Sequence, residues 1–359
     1  MDTAHLPHGW TILAIETSCD ETAAAVIRDG REIVSNSVAS QIDLHQQYGG
    51  VVPEVASRQH ILTIAPVVEA ALKALPNGWD DIHAIATTYG PGLAGALLTG
   101  INTAKAIAWT RNLPLVGVNH LEGHIYASWL HTERSKPIAP PPQFPLVALI
   151  VSGGHTALVL LREHGNYQLL GQTRDDAVGE AFDKVARIMG LGYPGGPVME
   201  KVARGVHPGS LKLPRAWLRG SYDWSFSGLK TAVLNIVQER MGARFEQQKL
   251  AEVDPHFSAQ LAAAFQESAV DVLVQKTVAA AREFGAREII LAGGVAANMA
   301  LRESLSAYAR PIPVRYPPIW LCTDNAAMIG AAAYYRYHAG LQAGWGLDAA
   351  PGLKLVPTS

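Results

Sequence analysis

His120 and His124 stand four positions apart in "VNHLEGHIYASW" (Val118 to Trp129), directly behind the apolar run "LPLVGV". On a helix that spacing puts both imidazoles on one face. Two histidines are half of a metal site, which needs a third protein ligand and open positions for water or substrate. The best remote ligand is Asp324 in "CTDNAAMIG", behind the last short strand and at the start of the closing helix. The competing readings are polar residues at an exposed helix start and an N-cap role for Asp324. All three residues fall at one junction between the expected domains, which favours the metal. Zn²⁺ and Fe²⁺ both suit two histidines and a carboxylate. The segment is not His-Glu-x-x-His: Glu122 lies two residues from each histidine, on the far side of a helix that Gly123 weakens. A metallopeptidase is therefore excluded.

Several turns are built to meet an anion. "VSGGHT" (Val151 to Thr156) and "ETSCDET" (Glu16 to Thr22) are equivalent strand-to-strand turns. Gly153 and Gly154 can adopt positive φ and bring N–H groups against a phosphate, although a hairpin glycine pair is also an ordinary structural feature. Asp20 and Glu21 in the first turn are candidates to receive a proton, or else exposed turn carboxylates. "REIILAGGVAAN" ends in Gly293-Gly294, and Asn298 opens the next helix as ligand or as N-cap. In "GEAFDKVARIMGLGYPGGP" Asp183 lies within a helix, where a solvated pair with Arg187 is the bland reading. The turn at Tyr193 to Pro197 exposes the backbone of Gly195 and Gly196, and the Glu200 carboxylate can accept from ribose hydroxyls. Neither a P-loop nor a dinucleotide fingerprint is present.

The elements that must hold these groups occur twice. Strand, turn, strand, turn, strand, then helix, strand, helix, strand runs from "TILAIE" to "LPLVGV", and again from "PLVALIV" to "IPVRY". A duplicated α/β fold follows, each copy a mixed sheet covered by helices. The expected domains are 1–117 and 118–323, flanking a cleft, with a closing helix over 324–345 packing back on the first. "SKPIAPPPQFP" (135–145) reads as an ordered or semi-rigid connector. A chain of 359 residues, 48% hydrophobic, can build two cores. Net charge is -2, so no global charge points to nucleic acid or membrane. Within an insertion at about 199–250, however, Met199 to Arg244 holds eight Lys or Arg against three acids, interleaved with Trp217, Tyr222, Trp224 and Phe226. That suits phosphate contact with base stacking, or a buried aromatic cluster beneath a solvated face. Two distant cysteines, no signal peptide and no long apolar run point to a soluble cytoplasmic protein.

Taken together, "ILAIETSCDETAAAVI", "NHLEGHIYA", "IVSGGHTALV", "DDAVGEAFDKVARIMGLGYPGGP", "SFSGLKTAV", "GGVAANMALR" and "CTDNAAMIG" resemble the bacterial TsaD family of tRNA N6-adenosine threonylcarbamoyltransferases. The resemblance runs from about Thr11 to about Gly330. It implies the duplicated actin-like (ASKHA, RNase H-like) fold. It also implies transfer of threonylcarbamoyl from threonylcarbamoyl-AMP to N6 of adenosine 37 in tRNAs reading ANN codons. Carried over by motif, His120, His124 and Asp324 hold the metal, and Ile150, Val151, Ser152, Gly153, Gly154, Asp183, Gly196, Glu200 and Asn298 bind the adenylate. Glu200 stands where many relatives have aspartate, and Trp224 where phenylalanine is expected. The implied partners are tRNA, a TsaB-like paralogue, a TsaE-like P-loop ATPase and the upstream threonylcarbamoyl-AMP synthase. The first ten residues and the tail past Gly340 lie outside this pattern. The rival readings are an actin-fold kinase or ATPase, which does not require the histidines, and a binding subunit, which does not retain the metal ligands.

Overall fold

The computed structural model describes residues 9–132 and 140–356. The chain divides into two compact units: one of residues up to Pro142, Arg162–Tyr167 and Pro317 onward, the other of Gln143–Leu161 and Gln168–Tyr316. In the first, β1 (Thr11–Glu16), β2 (Glu21–Arg28) and β3 (Glu32–Ser40) form an antiparallel meander. A short α1 (Ile42–Gln46) leads into α2 (Pro53–Leu72), which starts on a proline, where a helix tolerates one. Long crossovers are what parallel pairing demands. Helix α2 delivers β4 (Ala84–Gly90) parallel to β1, and α3 (Ala94–Arg111) delivers β5 (Leu115–Asn119) parallel to β4. The sheet order is β5-β4-β1-β2-β3-β6, with β6 (His131–Thr132) on the edge. Leu13, Ile15 and Val26 pack on Ile64 and Val68 of α2 and on Ala104 and Ala108 of α3. Strands β1 and β2 are buried on both faces, which is why "TILAIE" carries no polar alternation.

The helix α4 (His120–Tyr126) follows β5 without a linker. The second unit repeats the meander in β7 (Leu146–Val151), β8 (Thr156–Glu163) and β9 (Asn166–Gln172). Then come α5 (Val178–Met189), α6 (Gly195–Ala203), α7 (Ser227–Met241), α8 (Leu250–Val253) and α9 (Pro255–Glu283). The unit closes with β10 (Glu288–Ala292), α10 (Met299–Tyr308) and β11 (Val314–Arg315), in the order β11-β10-β7-β8-β9. That is the first sheet's order again, so the repeat in the sequence is a repeat in topology. The final helix α11 (Ala326–His338) packs on β1, β2, β5 and α4 of the first unit.

The boundary differs from the sequence expectation. It falls beyond Pro142 rather than at 117, because α4 and the turn to Trp129 are buried against α11 and stay with the first sheet. Of the expected connector, residues 135–139 lie outside the described residues, as do the first eight of the chain. Trp10 lies against Tyr337 of α11, with ring centroids 4.3 Å apart. Among the described residues no helix is long and apolar enough to cross a membrane.

Candidate functional site

His120 and His124 are presented by a single buried helical turn. Asn119 ends β5 and caps α4, its Oδ1 accepting from Leu121 N at 2.9 Å. The two rings stand edge to face, with centroids 4.6 Å apart. Their Nε2 atoms lie 3.4 Å (His120) and 3.2 Å (His124) from Asp324 Oδ1. One ligand atom from each of the three residues fits within 4.8 Å of the others. Asp324 is not the N-cap of α11. Asn325 takes that role, its Oδ1 accepting from Met328 N at 3.0 Å, so the Asp324 carboxylate faces the imidazoles instead.

The donor set fits a divalent cation on an observation of its own. His124 is 1% exposed, and neither ring nitrogen makes a hydrogen bond. A buried polar group left without a hydrogen bond costs about 1–3 kcal/mol. An imidazole facing a second imidazole and a carboxylate is the ligand set Zn²⁺ or Fe²⁺ takes.

Glu16, singled out only as part of a turn, supports this centre. Fully buried at the end of β1, it accepts from Ser18 N and Thr88 Oγ1, both at 2.5 Å, and its Oε2 lies 3.2 Å from His120 Nδ1. Ser18 Oγ lies 3.0 Å from the same nitrogen. A carboxylate behind an imidazole sets its orientation and tautomer, leaving Nε2 for a metal. Burial would lower the His120 pKa, but the Asp324 and Glu16 carboxylates outweigh it and hold it at about 9. Burial pushes Glu16 up, and the His120 imidazole more than offsets this, so its carboxyl lies below the usual range. A charge at the end of an otherwise apolar strand was the signal for Glu16.

Glu122 is turned away from the histidines, as the motif spacing required. It is 1% exposed and tied to Arg336 Nη1 of α11 at 2.9 Å and Tyr167 Oη at 2.7 Å. Of the two proton-acceptor candidates, Glu21 is pushed up to about 10 by burial and the nearby Asp324 and Asp20 carboxylates.

The other set of site residues gathers in the second unit. Ile150 and Val151 end β7, buried, and the Ser152–His155 turn follows. Neither Gly153 nor Gly154 takes the positive φ the sequence allowed, and a Cβ on either would meet nothing within 4 Å. What the pair leaves is open space over the backbone. The turn abuts the start of α5: Gly179 N donates to Ser152 O (3.2 Å) and Val178 N to Thr156 Oγ1 (2.8 Å). Gly293 does need its left-handed φ of +91°, and a side chain there would run into Val151 O.

Asp183 does more than face Arg187 along its helix. Its Oδ1 accepts from Gly195 N at 2.7 Å and caps α6 in place of Pro194, while burial pushes its carboxyl up. Glu200 Oε1 accepts from Met299 N at 2.8 Å, at the start of α10. Asn298 caps that helix through Leu301 N and donates to Gln266 Oε1, both at 2.9 Å. Each side chain is thus already engaged at a helix N-terminus, Asp183 at α6 and Glu200 and Asn298 at α10.

In the basic insertion, Arg215 pairs with Glu267 and Asp271, Lys230 with Asp176, and Arg240 with Asp254. Lys201, Arg204, Lys212, Arg219 and Arg244 are exposed and form no ion pair among the described residues. Trp224 and Phe226 are fully buried, so they are core rather than stacking surfaces, whereas Trp217 is 42% exposed.

The family model for tRNA N6-adenosine threonylcarbamoyltransferase, TsaD, matches residues 32–331. A protein of Thermomicrobium roseum with that name is 57% identical over 96% of this chain and 97% of its own length. One of Geobacillus kaustophilus, likewise named, is 51% identical over 99% of this chain and all of its own length. Among solved structures, full-length HypF in its phosphate- and nucleotide-bound form superposes with a TM-score of 0.57 at 12% identity, over 93% of this chain and 47% of that one. Component A of the Acidaminococcus fermentans (R)-2-hydroxyglutaryl-CoA dehydratase reaches 0.50 at 16% identity, over 92% and 99%. At such identities these two speak for the fold alone, which is the duplicated actin-like α/β architecture.

Proposed function

This chain belongs to the TsaD family of tRNA N6-adenosine threonylcarbamoyltransferases, and on that premise we propose that it transfers threonylcarbamoyl from threonylcarbamoyl-AMP to N6 of adenosine 37 in tRNAs reading ANN codons. The observation that carries the metal-assisted form of this reading is the meeting of His120, His124 and Asp324 around an imidazole with no hydrogen bond. These three residues would hold Fe²⁺ or Zn²⁺, which supplies Lewis acidity toward carbamoyl or phosphate oxygen. Glu16, through Nδ1 of His120, keeps the ligand ring oriented.

An exocyclic adenine amine is a weak nucleophile, so the acyl group arrives activated as a mixed anhydride with AMP. The N–H groups of Gly153 and Gly154 would receive the departing phosphate. Asp183, Gly196, Glu200 and Asn298 would seat the nucleoside, using the hydrogen-bonding capacity left after their helix-capping contacts. Asp20 and Glu21 are the candidate acceptors for the N6 proton. The five unpaired cations of the insertion, with Trp217, offer the phosphate contacts and stacking face an RNA needs. In this reading the enzyme works in the cytoplasm with a TsaB-like paralogue, a TsaE-like ATPase and the adenylate synthase.

The test is mass spectrometry of nucleosides from unmodified tRNA incubated with the protein, its partners, ATP, threonine and bicarbonate. The wild type should form threonylcarbamoyladenosine and a His120→Ala, His124→Ala variant should not. Equal product from both makes the histidines structural. Loss of product from the wild type, with ATP hydrolysed by this chain alone, favours an actin-fold ATPase instead.

A further inference from the structure

The segment past Gly340, which no motif explains, runs along β5 from Leu115 to Asn119 and over the turn that follows β4. Ala343 N donates to Leu115 O of β5 at 2.8 Å, and Trp345 packs edge-on against Trp109 of α3, with centroids 5.1 Å apart. Leu347 lies over Gly117, where a Cβ would come within 2.9 Å of its Cδ1. Ala350 N donates to Tyr89 O at 2.8 Å, and Pro351 O accepts from Gly92 N at 3.2 Å. Lys354 O accepts from Asn119 Nδ2 at 3.2 Å.

Two of these contacts end one step from His120. Asn119, 5% exposed, uses its other amide atom to cap α4, so Lys354 fixes the plane of the carboxamide that starts the histidine helix. The Gly92–Leu93 turn, held from outside by Pro351, donates from Leu93 N to Ser18 O at 2.8 Å, and Ser18 Oγ lies 3.0 Å from His120 Nδ1. Resting on the metal-centre reading, we infer that Ala343–Lys354 is a positioning strap for His120, with Asn119 its positioning residue. It acts on the imidazole indirectly, through Asn119 before it and through the Gly92–Leu93 turn and Ser18 behind it. Groups that orient a metal-binding histidine typically change affinity by about 10- to 100-fold.

The experiment measures Zn²⁺ affinity by competition with a chromophoric chelator, alongside the thermal midpoint of the metal-free protein. Ala350→Pro in the full chain removes the N–H to Tyr89 O without touching the charges of the centre. It should bind zinc about tenfold more weakly while the metal-free midpoint falls by no more than about 2 °C. Affinity within twofold of wild type overturns the inference, whatever the midpoint does. Should that variant fail to fold, Asn119→Asp decides: it keeps the cap acceptor and loses the donor to Lys354. Its added charge attracts a cation, so weaker zinc binding supports the strap, and equal or tighter binding overturns it. If wild type and the His120→Ala, His124→Ala variant bind zinc alike, the metal centre itself fails, and the strap with it.

Discussion

A Cβ on Gly123 would lie 2.7 Å from Cδ1 of Ile329, so any side chain at 123 requires that methyl to move between the histidine helix and the closing helix. The glycine that looks like a weakness in α4 is where that helix lies against Ile329 and Met328 at the start of α11.

Gly123→Val should therefore destabilise the protein by about 1–3 kcal/mol through overpacking between two buried helices. It should also weaken zinc binding, because the helices must separate. Urea unfolding of the metal-free protein checks the first part; an unchanged midpoint would show that Ile329 and Met328 can yield.

His124→Leu should lose cation binding yet leave the metal-free protein as stable or up to about 1 kcal/mol more stable. A buried imidazole with no hydrogen bond, and only the Asp324 carboxylate 3.2 Å away, carries a desolvation cost that a leucine does not. Thermal midpoints with chelator and with added zinc give both numbers. Destabilisation beyond about 2 kcal/mol in chelator would mean the ring has a structural partner.

Stability should fall on acidification through His164. Burial holds its pKa at about 4, against an unfolded value of about 6.5. A depressed histidine favours the neutral form when folded, so its contribution is full above about 6.5 and is lost as pH falls toward 4. The loss over that window is on the order of 2 kcal/mol. His164→Phe keeps the stack on Tyr335, gives up the hydroxyl contact of Tyr126, and should flatten the slope between pH 4.5 and 7. An identical slope in wild type and variant would assign the acid sensitivity elsewhere.

Lys276 is 2% exposed on α9, and its ammonium donates to the carbonyls of Leu218 and Ser221, both at 3.0 Å, and to that of Asp223. It also sits 5.2 Å from the Trp217 ring centre. Lys276→Met strands three carbonyls and should cost about 2–4 kcal/mol. Limited proteolysis should then cut between Trp217 and Asp223, and tRNA affinity should drop if this loop presents Trp217 and Arg219. A loop that stays resistant would show that the carbonyls find other donors.

The sequence by itself determined the duplicated element order, the crossovers that make the sheets mixed, and the meeting of two histidines on one helical face. These follow from periodicity and chain connectivity, which are local. Residue types and spacing offered Asp324 as metal ligand or helix cap, and the structure gave the cap to Asn325 and set the Asp324 carboxylate beside the imidazoles, because Asp and Asn at adjacent positions look alike as caps until their directions are known. Only the tertiary structure decided that Glu16 stands behind His120, that Glu122 is spent on Arg336, and that Trp224 and Phe226 are core. It likewise moved the unit boundary past Pro142 and laid the tail beside Asn119. Each of these is a contact between residues at least 45 positions apart or a matter of burial, and nothing in a local pattern records what the rest of the chain will bring alongside.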